Sequence, residues 1–166
     1  YGKWLAAPRD ADNFNGEKIL IRKITSKTLL ATYVKDTSYC NTLLFILKLK
    51  DPSIPYLATL GILNSRLIGW YFRKKFQINE SDTFPQIMIR DILEFPFPEF
   101  SNSKGLELSR LVENILDINS ELKKTTLQSK QDILNSKVAF YEQQVNKLVY
   151  TLFNLNSQEI NKIEQS

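Results

Sequence analysis

Pro55-Tyr56-Leu57-Ala58-Thr59-Leu60-Gly61-Ile62-Leu63-Asn64-Ser65-Arg66-Leu67-Ile68-Gly69-Trp70-Tyr71-Phe72-Arg73-Lys74-Lys75 contains the longest apolar run of the chain. Leu57, Leu60, Ile62, Leu63, Leu67, Ile68, Tyr71 and Phe72 recur at helical spacing, which predicts one helix over 55–75. Pro55 suits its first turn. Arg73-Lys74-Lys75 suits its last, where cations oppose the helix dipole. Asn64, Ser65 and Arg66 interrupt the run, which stays short of the ~20 residues that span a bilayer.

Short strands precede this helix. Asn15-Gly16 signals a turn, and Lys18-Ile19-Leu20-Ile21-Arg22-Lys23-Ile24 reads as a strand. Leu29 to Val34 reads as a second. Asn41 to Leu49 reads as a third, apolar on both faces at first and therefore expected in the centre of a sheet. After the helix, Phe84 to Phe95 reads as strand-like or irregular chain. The texture then changes. Residues 1–100 hold all six prolines, both tryptophans and most of the phenylalanines, whereas 101–166 hold no proline and only Gly105. Pro96 and Pro98 force extended chain at the boundary.

The second part is helical. Leu108, Leu111, Ile115, Ile118 and Leu122 form one heptad seam, and Leu134, Val138, Tyr141, Val145, Leu148 and Leu152 another. Two such helices joined by the polar stretch 123–130 predict an antiparallel hairpin. Asn156-Ser157-Gln158-Glu159 predicts a capped terminal helix. The expected fold class is α+β: a strand-rich unit over 1–100 with one central helix, then a helical hairpin or spacer arm over 101–166.

The composition excludes several chemistries. There is no histidine and only one cysteine, Cys40. Histidine-based nucleophile systems, thiolate zinc clusters and internal disulfides are therefore absent. The lone cysteine suits a cytoplasmic setting. Gly2, Gly16, Gly61, Gly69 and Gly105 match no phosphate-cradling fingerprint. Asp117 with Glu121-Leu122-Lys123 matches a nuclease pattern by letter, but Leu122 belongs to the seam, so a solvated helix face is expected. Asp10 and Asp12 read as a turn. No Asn-Pro-Pro-aromatic motif occurs. The segment is expected to be non-catalytic. Since it begins at Tyr1, it reads as a piece of a longer protein.

Binding remains. The formal charge is +4. Residues 1–100 carry 14 Lys+Arg against 10 Asp+Glu, and residues 101–166 carry 8 of each, so the whole excess lies in the first part. Bases interleaved with aromatics suit a polyanion. The candidate DNA contacts are Arg9, Lys18, Arg22, Lys23, Lys35, Tyr39, Asn41, Arg66, Arg73, Lys74, Lys75 and Asn79. Among the amides, Asn41, Asn79 and Gln86 suit adenine readout. Loops at 35–41 and 76–84 are the expected base-reading segments. Trp70, inside the apolar helix, is expected in the core.

Trp4-Leu5-Ala6-Ala7-Pro8-Arg9, the Lys18–Ile24 strand, Leu60-Gly61-Ile62-Leu63-Asn64-Ser65-Arg66-Leu67-Ile68 and Ile92-Leu93-Glu94-Phe95-Pro96-Phe97-Pro98 together resemble the TaqI-like C-terminal specificity domain. That module is the target recognition domain of type IIG restriction-modification enzymes and related adenine-specific DNA methyltransferases. The tail from Val145 to Leu155 with Gln158-Glu159-Ile160 looks like the ending of such enzymes, and the helical part resembles the spacers of type I specificity subunits. The resemblance implies clamping of double-stranded DNA, and a methyltransferase domain upstream into which an adenine is flipped. It implies S-adenosylmethionine, and a divalent metal if the parent also cleaves, outside this segment. Asn64-Ser65 is expected to be architectural. The competing expectations are a protein-interaction or dimerisation module using residues 104–155, and a nuclease fragment.

Overall fold

The computed structural model describes residues 10–24, 28–76, 86–100 and 102–165, with only the backbone of Asn102. Strands β1 (Lys18–Arg22), β2 (Ala31–Val34) and β3 (Leu44–Leu47) form an antiparallel sheet in the order β2-β1-β3. Helices α1 (Tyr56–Leu63), α2 (Arg66–Lys75) and α3 (Ile89–Leu93) follow, then α4 (Asn102–Leu122), α5 (Gln128–Leu152) and α6 (Ser157–Glu164). The α+β class is as expected. No described helix is long and apolar enough to cross a membrane.

Alternation along β1 decides the two faces of the sheet. Ile19 and Ile21 are fully buried and join a core with α1. Their cross-strand neighbours Tyr33 and Leu47, and Ala31 and Phe45, pack against the same core. Lys18, Leu20 and Arg22 take the opposite face.

Two expectations about the sheet and central helix are corrected. The strand at 44–47 lies at an edge, and β1 is the middle strand. Every β3 residue is half-buried, whereas four of the five β1 residues are buried. The apolar run at 41–49 reflected partial cover on both faces, not a central place. The single helix expected over 55–75 is two helices. Ser65 takes an extended backbone (φ −68°, ψ 155°), and its Oγ accepts from the Ile68 amide, which begins α2. Asn64 leaves the helix to clamp β2: its Oδ1 accepts from Ala31 N at 2.9 Å and its Nδ2 donates to Ala31 O at 3.0 Å. The amide satisfies both backbone groups of one strand residue. Where strand-like or irregular chain was expected, residues 86–100 hold one bridge (Ile24 with Gln86) and the short helix α3, whose start is capped by Asp91 accepting from Met88 N at 2.8 Å. Trp70 is half-buried against the core, as expected.

The helical part is not packed apart from the strands. Ala58 to Leu63 are all buried, so α1 has no solvent face. The sheet covers one side and α4 another. Gly61 sits at the α1–α4 contact: a Cβ there would stand 2.8 Å from Val112 Cγ2 and 3.2 Å from Leu108 Cδ1. Leu108, Val112, Val145, Val149 and Ile163 share one core with Ile19 and Ile62. The seams pair α4 with α5, and buried Leu134, towards the far end, lies outside the shared cluster. Glu121 pairs with Lys130 across the hairpin loop at 2.7 Å, both side chains about half exposed, which agrees with a solvated helix face. The capping box of α6 forms as expected, with Asn156 and Glu159 exchanging backbone hydrogen bonds.

Gly61→Ala should destabilise the chain despite alanine's helix propensity, since overpacking costs ~1–3 kcal/mol against a propensity gain of ~1. Urea unfolding should show a net loss of about 1 kcal/mol, partly restored in Gly61→Ala/Val112→Ala. Additive losses in the double variant would contradict the close approach.

Candidate nucleic-acid interface

β2 and β3 lie on either side of β1, so the chain between them must cross it. The crossing segment, 35–43, runs over the face turned away from α1. Lys18 projects from that face and its Nζ donates to Asp36 O at 2.6 Å. The same ammonium donates to Phe14 O at 2.8 Å and Gly16 O at 2.9 Å. A lysine has three donor protons, and all three are engaged. The 3-10 turn Ala11–Phe14 is thereby tied to the crossing strap. Asp10 caps that turn by accepting from Asp12 N, which bears out the turn reading of the aspartate pair. Gly16 has φ +67°, a left-handed turn suited to glycine.

The strap is fastened at further points. Ser38 N donates to Phe14 O at 3.1 Å, and Thr37 Oγ1 donates to Asn15 Oδ1 at 3.0 Å. Lys48 Nζ reaches Asp12 O at 2.5 Å. Tyr39 leans on buried Phe14 with ring centroids 5.2 Å apart, yet stays 69% exposed. Asn41 closes a local turn by accepting from Leu43 N at 3.0 Å.

The sequence-predicted residues fall into groups. Lys18 is withdrawn from the surface: it has no accessible area, and its ammonium is enclosed by carbonyls. Lys35, Tyr39 and Asn41 lie exposed on the strap. Arg22 is exposed at the far end of β1, opposite Leu44, and Lys23 sits beside it with Nζ 4.8 Å from the centre of the Phe45 ring. Ile87 N bonds Lys23 O at 2.9 Å, and so draws exposed Gln86 and α3 to that end of the sheet. Past α3, Glu94 meets Lys75 at 2.7 Å. The basic end of α2, with half-buried Arg73 and exposed Lys74, is thus linked through α3 to Arg22 and Lys23. The hydrogen bond to Glu94, then that to Tyr71, raises the Lys75 pKa, and Lys75 lowers that of Glu94. Arg90, which the candidate set omitted, has a side chain 80% exposed on α3. Arg9, Asn79 and the loop over 77–84 lie outside the described residues.

Arg66 stands apart. It opens α2, nine residues before Lys75, or about 13 Å along the axis. Its guanidinium pairs with Glu164 of α6, its backbone N–H donates to Asn146 Oδ1 at 2.9 Å, and Tyr150 donates to the same Glu164 at 2.7 Å. Arg66 therefore joins α2, α5 and α6. Phe14 is the supporting residue that sequence reading missed: only the crossing strap makes its ring and carbonyl matter. Among the described residues no group of histidine, cysteine, aspartate and glutamate side chains could hold a metal.

Residues 2–97 match the TaqI-like C-terminal specificity domain, more than half of the 166 residues. The chain belongs to that family. A relative from Methanocaldococcus jannaschii, provisionally named a type II restriction enzyme and methyltransferase, is 28% identical over 140 residues. The alignment covers 82% of this chain and 11% of that protein. It is longer than the matched family region, so the likeness runs into the helical hairpin of this specificity domain.

The Arg66–Glu164–Tyr150 junction makes stability pH-dependent. Burial, then the hydrogen bond to Glu164 and its charge, raises the Tyr150 pKa above the usual tyrosine value. A raised folded value means full stabilisation below the unfolded value of about 10, lost as pH rises past it. The unfolding free energy should fall as pH rises above about 10, and less steeply in Tyr150→Phe. Equal slopes in both proteins would remove Tyr150 as the source.

Proposed function

We propose that this specificity domain reads a sequence in double-stranded DNA for a type IIG restriction-modification enzyme with adenine-methylating activity. What supports the reading is a strap with exposed Lys35, Tyr39 and Asn41 that ends at Leu43, whose carbonyl accepts from Lys23 N at 2.9 Å, beside Arg22 and the α3 link to the basic end of α2. Cations anchor the phosphates, which sets register, and the strap meets base edges, which sets sequence. Arg73, Lys74 and Lys75 serve as phosphate contacts, together with Arg22, Lys23 and Lys35. Arg9 and Asn79 keep the roles expected from sequence. Lys18 and Arg66 hold structure instead. The strand-rich part reads and the hairpin spaces, although both share a core. The methyltransferase domain, its S-adenosylmethionine, any divalent metal and the flipped adenine belong to the remainder of the parent enzyme, in the cytoplasm.

Duplex binding should weaken linearly on a log–log plot against salt, by about 0.9 of slope per phosphate contacted. Arg22→Ala, Lys35→Ala and Lys74→Ala should each lower the slope by about that amount. Lys137→Ala on α5 should leave it unchanged. Salt-insensitive binding would sink the reading.

One observation favours a second role, self-association through residues 104–155. Ile133 and Phe140, seven residues apart on α5, are 58% and 56% exposed, beside Ile118 and Tyr141 in a groove between α4 and α5. If copies associate there, sedimentation should show a dimer that Phe140→Lys converts to monomer. A monomer at all concentrations excludes this role.

A further inference from the structure

Lys18 is the candidate DNA contact that the fold encloses. Its three acceptors belong to different pieces of chain: the end of the 3-10 turn, the Gly16 turn and the start of the strap. A compact ammonium can point its protons at three carbonyls around it. A planar guanidinium cannot do so, and methionine has no proton to donate. The Lys18 side chain therefore joins two loops through their backbones, whatever side chains those loops carry.

What this junction presents is Tyr39. Phe14, whose carbonyl accepts from both Lys18 Nζ and Ser38 N, is also the ring on which Tyr39 leans, at an interplanar angle of 42°. The Tyr39 ring leans on Phe14 and is 69% exposed, between exposed Lys35 and Asn41. A large rigid ring held this way makes apolar contact with little loss of conformational entropy.

We propose that Tyr39 is a specificity-determining residue that packs its ring against the major-groove edge of a base of the target sequence, such as a thymine methyl, and that Lys18 is a positioning residue that fixes the strap so that it does. The inference rests on the DNA-reading function proposed above. It differs from phosphate anchoring by Lys18, the role expected from sequence. A phosphate contact contributes to the salt dependence of binding, whereas a positioning residue contributes to discrimination between sequences.

The test uses the parent enzyme that carries this chain and a pool of random-sequence duplex DNA, with bound molecules recovered and sequenced. The unaltered enzyme should enrich one sequence. Tyr39→Ala should reduce that enrichment by about tenfold, the scale of one lost base contact, with the salt slope retained. Tyr39→Phe should restore it, because the ring carries the contact. Lys18→Met should lose enrichment as Tyr39→Ala does, keep the salt slope and show faster hydrogen exchange at the Ser38 amide. Thr37→Val cuts an exposed tie of the same clamp. It should show the same pattern more weakly, and it tests the positioning claim if Lys18→Met does not fold. Undiminished enrichment in Tyr39→Ala overturns the assignment of Tyr39. A salt slope lowered by about 0.9 in Lys18→Met, or undiminished enrichment in Thr37→Val despite faster exchange at Ser38, overturns the positioning role. Failure of the unaltered parent enzyme to bind any duplex removes the DNA-reading function itself, and this proposal with it. That outcome is seen before any variant is compared.

Discussion

Helix α1 has no face it can show to water. Six consecutive residues, Ala58 to Leu63, are buried, and a helix apolar all round must be covered all round. The sheet takes one side and α4 another, with Gly61 admitting Val112 and Leu108. The change of texture near residue 100 is therefore a change of secondary structure and not the edge of a core. The hairpin is held at its base by the helix that holds the sheet, so a long neutral arm and a basic strand-rich unit share one core where they meet.

The proposed recognition surface comes from a different constraint. With β1 in the middle, the β2–β3 connection must pass over a sheet face, and the inner face is occupied by α1. A strap of nine residues crosses the outer face, where Lys18, Asn15 and Phe14 fasten it through backbone and side-chain groups. The strap carries Lys35, Tyr39 and Asn41. The cations of β1 and α2 are tied together by the Lys23–Ile87 and Lys75–Glu94 links. Topology, more than local sequence, assembles the candidate site.

Much was legible along the chain wherever the cause was local. The α6 capping box, the Asn15-Gly16 turn and the two heptad seams depend on residues a few positions apart. The division at Asn64-Ser65 was written in a good N-cap residue, but the helical spacing of apolar residues on both sides of it outweighed it until Ala31 supplied Asn64 with partners 33 residues away. The edge position of β3 was hidden because half-burial on two faces and full burial in a sheet centre both select continuous apolar runs. For the site, residue types that suit DNA were readable, and exposed Arg22, Lys35 and Lys74 fit them. Which lysine is solvated was not readable.

The sequence alone determined the α+β class, the family likeness, the helical periodicities and the basic character of the first hundred residues, because these follow from residue type and near-neighbour spacing. Tertiary structure alone decided the environment of each charge. Lys18 and Lys35 have the same side chain. One meets three carbonyls carried in by separate turns, and the other meets solvent, since the strap that closes over Lys18 begins at Lys35 itself.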